Sequence, residues 1–568
     1  MLGPDRASTT PPGASPREAA LLAGVLAVAA GLRLAFSESI SGNDDLSVAN
    51  CALDALDAGW PPRVPTAHYC ARFGLVGPMA LVFGLAGTGA AQASVLPALA
   101  SLAGLLLAWG LGRRLFGPAE GLAAAAALAL FPMDIEFAGL AFPDAPQGAL
   151  MAGAVLCLLR AADPARPARG RAALGLAALA GALWAWAYYV KVDAGLLVLV
   201  LGLAWALGLA RFAHVAVAGA VALALVAAEW AAYAAALGEP LLRLRFESAA
   251  ANEVLAPGRD YRNALTYPKA MFALPYQAGV MYWAWAAALA AAALARSRPA
   301  LFLAGWTGLW MLWLALGADP TSGFRLKPQI PRYLMSFAVP TAVLSGWLAV
   351  RLWRSTRRRA LARPAAVALA AGAAASAAVF APFNLLSYEG ARATRVAAEA
   401  VARRGWVPLC PDVQSRSIVR FLSHGRPGAA GAAGEPCVVQ RHDFLRGETS
   451  FSPPPALPAY LLLNESFARR LQDRSLVRPV DPRGFPGAAP TEVLRVDNPM
   501  PSASYAALRL LAAAASAVPL RSVRDGIAAT AAEVLRDADA RVWRLDPVPP
   551  PAGVARREAA EAAVGSGG

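Results

Sequence analysis

The sequence has little charge and very few cysteine, histidine and lysine residues. Only 16% of its 568 residues are Asp, Glu, Lys or Arg, whereas a typical soluble domain has about 25%. Hydrophobic residues make up 57% of the chain, and the mean hydropathy is +0.46. These figures disfavour a wholly soluble protein and exclude a disordered or collagen-like chain.

Five cysteines are too few for a dense disulfide scaffold. No CxxC pair or His/Cys cluster has the spacing of a zinc site, and no Gly-rich nucleotide loop stands out. The sequence therefore indicates no metal and no cofactor, although a divalent cation stays open as an addition.

The net charge is +15 and the pI about 10.1, values that would indicate a nucleic-acid partner in a soluble chain. Here the basic residues lie between long uncharged runs, so the lipid bilayer is the predicted partner and nucleic acid is not. A bilayer core needs about 20 apolar residues per helix. Segments of about that length or longer that contain no charged residue include 73–112, 172–190, 270–295 and 364–388.

We predict about eleven transmembrane helices in residues 18–388. Their starts lie near Glu18, Ala90, Pro118, Asp144, Ala172, Ala194, Ala213, Tyr276, Pro299, Tyr333 and Pro364. The first span resembles a signal-peptide core, but no clear cleavage site follows it, and we interpret it as an uncleaved anchor.

The loops between these spans differ in charge. Alternate loops, beginning with residues 1–17, are strongly basic, whereas the others, beginning with loop 37–72, carry slightly more acid than base. The positive-inside rule assigns the basic set to the cytoplasm. The N-terminus is then cytoplasmic, and everything after Tyr388 is extracytoplasmic.

The cysteines agree with this topology. Cys51 and Cys70 share the first outer loop, and Cys410 and Cys437 share the tail. Both pairs fall on the side assigned to the oxidising compartment, where disulfides form. We therefore expect each pair to be bonded, with chance placement as the alternative.

The tail differs in composition from the membrane region. Short strand-like runs such as 459–464 and 437–440 alternate with a helix-like run at 414–424, and Pro and Gly punctuate them. We predict a small extracytoplasmic α/β domain over 389–546 and a disordered tail over 547–568.

The first outer loop, 37–72, holds the richest set of chemical groups. Adjacent carboxylates, Asp44 and Asp45, follow the first span and precede an amphipathic helix that Pro61 would end. Two neighbouring carboxylates can act as a general base, because each raises the pKa of the other. The alternative is a helix N-cap.

The sequence resembles the dolichyl-phosphate-mannose-protein mannosyltransferase-like family, glycosyltransferases of fold class C that include bacterial aminoarabinose transferases. The acidic pair after the first span carries this resemblance, together with ordered segments over residues 18–385. These segments are GRRLFGPAEGLAAAAALALFP (112–132), FAGLAFPDAPQGALMAG (137–153), WAWAYYVKVDAGLLVL (184–199) and KPQIPRYLMSFAVPTAVLSGWLA (327–349).

The resemblance implies transfer of a sugar from a polyprenyl-phosphate donor to an acceptor hydroxyl or amide, with inversion at the anomeric carbon. Asp44 matches the first carboxylate of the pair and is the expected base. Asp45 matches the second, which is Glu in many relatives. Asp144 matches an Asp that opens the fourth span and would position the acceptor or a basic partner.

Basic side chains that would bind the leaving phosphate can be predicted without the family resemblance. Of the 52 basic residues only three are lysine, Lys191, Lys269 and Lys327, and all three fall in outer loops. Lys191 and Arg332 also occupy family-matching positions beside span ends, where a lipid phosphate would lie. Snorkelling interfacial anchors are the alternative. His68, beside Cys70, is a further candidate lining residue.

The prediction is an α-helical polytopic membrane enzyme of the glycosyltransferase-C type in a bacterial inner membrane. Its donor would be a polyprenyl-phosphate-linked sugar, and its acceptor a lipid, glycan or protein. Two other classes stay open: a lipid or polysaccharide flippase or transporter, and a non-catalytic assembly protein of envelope polymers. Both would tolerate Asp44→Asn.

Overall fold

The computed structural model describes most of the membrane region and parts of the tail. The described residues are 14–42, 44–59, 68–163, 170–247, 266–273, 275–319, 325–326, 330–355, 359–405, 409–412, 415–423, 440–443, 448–451, 454, 458–464, 481–485, 488–496, 500, 502–516 and 540–547. The chain divides into two compact units, one of residues 1–388 with 500–534 and the other of 389–499 with 535–568.

The first unit is helical. Its α-helices are α1 (Pro16–Phe36), α2 (Asp44–Ala58), α3 (Phe73–Ala86), α4 (Ala90–Leu115), α5 (Pro118–Ala129), α6 (Pro132–Phe137), α7 (Asp144–Ala161), α8 (Gly170–Val190), α9 (Leu197–Ala206), α10 (Phe212–Leu237), α11 (Met281–Ala295), α12 (Arg298–Leu316), α13 (Ala338–Arg354) and α14 (Arg359–Leu385).

Shorter elements join these helices. They are the 3₁₀ helices His68–Ala71, Val192–Leu196, Pro331–Phe337 and Leu386–Tyr388, the π-helix Lys269–Ala273, the helical turns Thr266–Pro268 and Pro275–Ala278, a short helix over 242–247 and a strand pair, β1 (Ala318–Asp319) with β2 (Arg325–Leu326).

The helical membrane fold predicted from the sequence is confirmed. Each of the eleven predicted span starts lies within a helix, and in the described part of the chain seven helical segments are long and apolar enough to cross a bilayer. The uncharged run 73–112, predicted to hold one span, is two helices. Gly87, at φ +79°, ends α3, and Gly89 precedes α4.

The core of this unit lies along α7 and α13, whose side chains are buried over most of their length. Small residues permit this packing: a Cβ at Gly181 would lie 2.3 Å from the Ala218 carbonyl, and one at Gly346 would lie 2.5 Å from the Ala124 nitrogen. Close backbone approach at small residues is the usual packing of helices in lipid.

The ion pair of Arg33 with Asp134 is buried within this helical unit. Arg33 of α1 pairs with Asp134 of α6, and their side chains are 3% and 4% exposed. Ser101 of α4 lies between them, since its Oγ accepts from Arg33 Nε at 2.7 Å and donates to Asp134 Oδ2 at 2.7 Å. Three helices are thereby tied together where water is excluded.

The second unit is a small α/β fold, as the sequence predicted. Its elements are α15 (Glu389–Arg403), β3 (Leu409–Pro411), α16 (Arg416–Ser423), β4 (Gln440–Asp443), β5 (Glu448–Phe451), β6 (Ala459–Asn464), β7 (Ala488–Val496) and β8 (Ala540–Pro547). The main sheet has the order β3-β6-β8-β7, with β3 and β6 parallel and the other pairs antiparallel. The strand-like run 459–464 is β6.

The helix α17 (Ser502–Ser516) lies in the segment predicted to belong to the tail domain, yet it packs with the helical unit against α14. Its Tyr505 and Leu508 join Phe142 and Leu385 in an apolar cluster. The helix α17 therefore groups with the membrane helices. The predicted disordered tail falls outside the described residues, apart from Pro547, which ends β8.

Candidate active site

Asp44 lies at the first residue of α2, just after the first membrane helix. Its carboxylate forms an ion pair with the guanidinium of Arg332, which lies at the start of the 3₁₀ helix Pro331–Phe337, 288 residues later in the chain. The Asp44 side chain is 33% exposed and that of Arg332 15%. The pair therefore lies at the edge of the buried region, where a ligand can reach it.

Asp144, the first residue of α7, joins this pair to a second cation. Its Oδ1 accepts from Lys191 Nζ at 2.8 Å, and its Oδ2 lies 3.5 Å from Arg332 Nε. Lys191 Nζ is also 3.7 Å from Asp193 Oδ2. We call Asp44, Asp144, Lys191, Asp193 and Arg332 the charged cluster.

Aromatic rings pack against both cations. Lys191 Nζ lies 3.6 Å from the centre of the Tyr333 ring, and the Arg332 guanidinium carbon lies 4.3 Å from the centre of the Phe142 ring. Aromatic faces attract cations, and more strongly where water is excluded. The rings therefore hold the two cations in place without neutralising their charge.

Two glycines allow the backbones that carry the cluster to approach closely. A Cβ at Gly148 of α7 would lie 2.9 Å from the Ser336 carbonyl oxygen, and one at Gly74 of α3 would lie 2.6 Å from the Val190 nitrogen. The Gln147 side chain strengthens the first contact, since its Oε1 accepts from Ser336 Oγ at 3.0 Å. These approaches place Arg332 beside Asp144 and bring the first loop near Lys191.

The part of the first outer loop that follows Asp44 is held by a disulfide and an ion pair. Cys51 and Cys70 form the predicted disulfide, which is confirmed. Arg72 makes a two-pronged ion pair with Glu247, at 2.8 and 2.9 Å, and lies over the Tyr69 ring. Tyr69 in turn forms a side-chain hydrogen bond with Asp44.

The electrostatics of Asp44 follow from these contacts. Burial raises the pKa of the Asp44 carboxyl, but Arg332 and the Tyr69 hydrogen bond outweigh burial, so the pKa lies below its ordinary value. Burial also raises the pKa of Tyr69 far above its ordinary value, so Tyr69 stays a phenol and donates to the carboxylate. Asp44 is therefore ionised in this state.

A further acidic group, Glu136, lies nearby on α6. Glu136 Oε1 accepts from the Tyr388 hydroxyl at 2.7 Å, and Asn384 gives it another hydrogen bond. Burial nevertheless raises the pKa of Glu136 to about 7. Asp45 and Arg332 both act electrostatically on Tyr388, so this group borders the charged cluster.

The structure brings Asp44, Asp144, Lys191 and Arg332 together, but it separates Asp44 from its neighbour. Asp45 is 2% exposed, and both its oxygens accept from Ser41, one from the backbone nitrogen at 2.7 Å and the other from the hydroxyl. Lys269 is exposed on its π-helix and has no ion pair among the described residues.

Three predicted site residues are not fully described. Lys327 and Cys437 lie outside the described residues, as does the side chain of His68, whose backbone belongs to the 3₁₀ helix His68–Ala71. The pairing predicted for Cys437 with Cys410 therefore involves a residue outside the described part of the chain.

Several residues of this site were not predicted from the sequence. Tyr333 and Asp193 lie within two positions of Arg332 and Lys191, in segments already matched to the family, so proximity in the chain could have found them. Tyr69 and Arg72 flank Cys70 and could have been found with it. Nothing in the sequence around Glu136 or Glu247 indicates a role in the site.

Comparison with known proteins confirms the predicted family resemblance over part of the chain. Residues 78–231 match the family described as dolichyl-phosphate-mannose-protein mannosyltransferase. This segment contains Asp144 and Lys191, whereas Asp44 and Arg332 lie outside it. No curated protein matches the chain in sequence.

Solved structures with similar backbones are distant in sequence. The oligosaccharyltransferase of Archaeoglobus fulgidus in the apo form is 14% identical, with a TM-score of 0.45, over 64% of this chain and 56% of that one. The oligosaccharyltransferase AglB of the same organism, in complex with an inhibitory peptide and a dolichol-phosphate, is 11% identical, with a TM-score of 0.49, over 81% and 71%.

ArnT from Cupriavidus metallidurans bound to undecaprenyl phosphate is 16% identical, with a TM-score of 0.44, over 80% of this chain and 94% of that one. The chain spans a little over half the length of the apo oligosaccharyltransferase that it matches.

Proposed function

We propose, from the family match over residues 78–231 and from the charged cluster, that this multi-pass membrane protein is a glycosyltransferase. It transfers a hexose or pentose from a polyprenyl-phosphate donor to a lipid, glycan or protein acceptor, at the outer face of a bacterial inner membrane. The observation that carries the proposal is that Arg332 and Lys191 meet Asp44 and Asp144 beside the ends of membrane helices.

The cations suit the leaving group. When the bond between the anomeric carbon and the phosphate oxygen breaks, the phosphate gains a negative charge. Arg332 presents a planar fork of donors and Lys191 a point charge, and both lie where a lipid phosphate would be. Groups fixed in place for a developing charge are typically worth about 10²–10³ in rate each.

The carboxylates suit the attacking side. In our proposal Asp44 accepts the proton from the acceptor hydroxyl or amide while the acceptor atom forms its bond to the anomeric carbon, with inversion. The electron pair of the broken bond stays on the phosphate. Asp144 is a positioning residue, because it holds both cations, and Asp45 positions the loop through Ser41.

The other predicted site residues have no assigned contact in the proposed site. Lys269, Lys327 and His68 stay predictions for the donor-phosphate and lining roles. No contact among the described residues draws them into the charged cluster. The proposed orientation keeps the N-terminus in the cytoplasm and the α/β unit outside.

The test uses the purified full chain in lipid nanodiscs with a panel of polyprenyl-phosphate-linked hexoses and pentoses, and an envelope extract as the source of acceptors. Released polyprenyl phosphate is measured for wild type, Asp44→Asn and the control Asp57→Asn, which changes an exposed carboxylate on the same helix. We expect Asp44→Asn to lower kcat by about 10²–10⁴ and the control to match wild type.

Two results would contradict the proposal. Equal turnover by wild type and Asp44→Asn would remove Asp44 as the base, and no release from any donor would remove the donor class. A transporter would instead move its substrate across the bilayer in the Asp44→Asn variant as fast as in wild type.

A further inference from the structure

Both described cations of the charged cluster already have carboxylate partners. Arg332 is shared between Asp44 and Asp144, and Lys191 between Asp144 and Asp193. Three carboxylates therefore surround two cations, and the neighbouring pair of Arg72 with Glu247 adds no net charge. The cluster as it stands carries one negative charge in excess.

A phosphate group entering this cluster would add further negative charge. Buried like charges repel strongly, and a buried cation gains little from a second anion while its first partner stays in place. Contact between Arg332 and a phosphate therefore requires one of its two carboxylates to move away.

The two carboxylates on Arg332 differ in how firmly they are held. The Asp144 side chain is 2% exposed and is hydrogen-bonded to Lys191 at 2.8 Å. The Asp44 side chain is 33% exposed, and its partners besides Arg332 are the Tyr69 hydroxyl and the more distant charge of Arg72. Asp44 is the carboxylate that can turn toward solvent while keeping a hydrogen bond.

We propose that the phosphate of the polyprenyl donor displaces Asp44 from Arg332, so that the carboxylate is released for the acceptor only after the donor has bound. We call the Asp44–Arg332 contact the resting ion pair. This inference rests on the proposed function and adds to it an order of binding, with the donor first.

The release changes Asp44 as a base. While Arg332 contacts it, the pKa of Asp44 is held below its ordinary value, and such a carboxylate is a weak base. Once the phosphate neutralises Arg332, the pKa of Asp44 rises. Without donor, a hydroxyl in the site meets a carboxylate that is paired with Arg332 and weakly basic.

The test measures equilibrium binding of radiolabelled undecaprenyl monophosphate to the purified full chain in nanodiscs. If the resting ion pair competes with the phosphate, Asp44→Asn binds this probe more tightly than wild type, by roughly tenfold, because the Asp44 carboxylate no longer occupies Arg332. Asp57→Asn binds it as wild type does.

Two further measurements separate competition from a general loosening of the fold. Undecaprenol, which lacks the phosphate, should bind wild type and Asp44→Asn equally. In the Arg332→Gln background, Asp44→Asn should give no gain, since the contested cation is absent. A melting temperature for each variant identifies any that fail to fold.

The outcomes distinguish the two levels of the proposal. Equal or weaker binding of undecaprenyl monophosphate by Asp44→Asn, while wild type still turns over donor, overturns the resting ion pair and leaves the glycosyltransferase in place. An equal gain for undecaprenol also overturns it. If neither wild type nor the variants bind the monophosphate, the donor class itself is wrong and both proposals fall.

Discussion

The ion pair of Arg33 with Asp134 gives the sharpest test of the membrane packing. Each residue of the pair is almost fully buried, and Ser101 bonds to both. Removing one partner leaves an uncompensated charge, which costs about 3–5 kcal/mol in buried pairs, whereas replacing both partners with uncharged groups of similar size is often neutral or stabilising.

We therefore expect Arg33→Met and Asp134→Asn each to lower the free energy of unfolding by about 3–5 kcal/mol. The double variant should lie within about 1 kcal/mol of wild type. The coupling energy would then be about 5 kcal/mol or more, since the two single losses are far from additive. At about 1.4 kcal/mol for each tenfold change, one single loss alone is a factor of more than 10² in the folded-to-unfolded ratio.

The assay is a denaturant titration of the protein in mixed micelles, followed by tryptophan fluorescence, on the four members of the cycle. An exposed pair provides the control, since Arg245 and Glu239 lie 2.8 Å apart and are 64% and 42% exposed. Its cycle should give a coupling below about 1 kcal/mol. Additive losses at Arg33 and Asp134 would refute the view that the pair is a desolvated unit.

Three further predictions concern stability and the site. Cys51→Ser should lower the free energy of unfolding by about 3 kcal/mol, the loop entropy of a 19-residue separation, measured by denaturant titration with and without reductant. Gly148→Ala should lower stability by about 1–3 kcal/mol and weaken undecaprenyl phosphate binding, because its Cβ meets the Ser336 carbonyl; Gly175→Ala, with open space around it, should do neither. Burial raises the pKa of Glu136 to about 7, so folding stabilises its protonated form, and this stabilisation is lost as pH rises through 7. The melting temperature of wild type should therefore fall between pH 5 and pH 8, and Glu136→Gln should reduce this fall. An equal fall in the variant would contradict the raised pKa of Glu136.

The membrane helices could be predicted because a bilayer imposes a length and a polarity that a local window of sequence reveals. The same window could not divide the run 73–112, since the interruption is a backbone conformation at Gly87 and not a change in hydropathy. The packing of α17 against α14 could not be predicted from a local window either, because the two helices lie more than 100 residues apart in the chain.

For the site, the family resemblance named Asp44, Asp144, Lys191 and Arg332 one at a time. No periodicity shows that they meet, since their contacts depend on close backbone approaches such as that of Gly148 to Ser336. The different environments of Asp44 and Asp45 could not be predicted either. Adjacent residues at a helix start point in different directions, and only the surrounding fold decides that Asp44 contacts Arg332 while Asp45 contacts Ser41.

The long separation of Asp44 from Arg332 has a consequence for biosynthesis. A ribosome adds about 5–20 residues per second, so the 288 residues between them take roughly 15–60 s to make. Throughout that interval the nascent chain carries an acidic side chain whose arginine does not yet exist. Tyr69 and the disulfide closed by Cys70 emerge much sooner, and they are available to order this stretch until the segment that carries Arg332 is inserted.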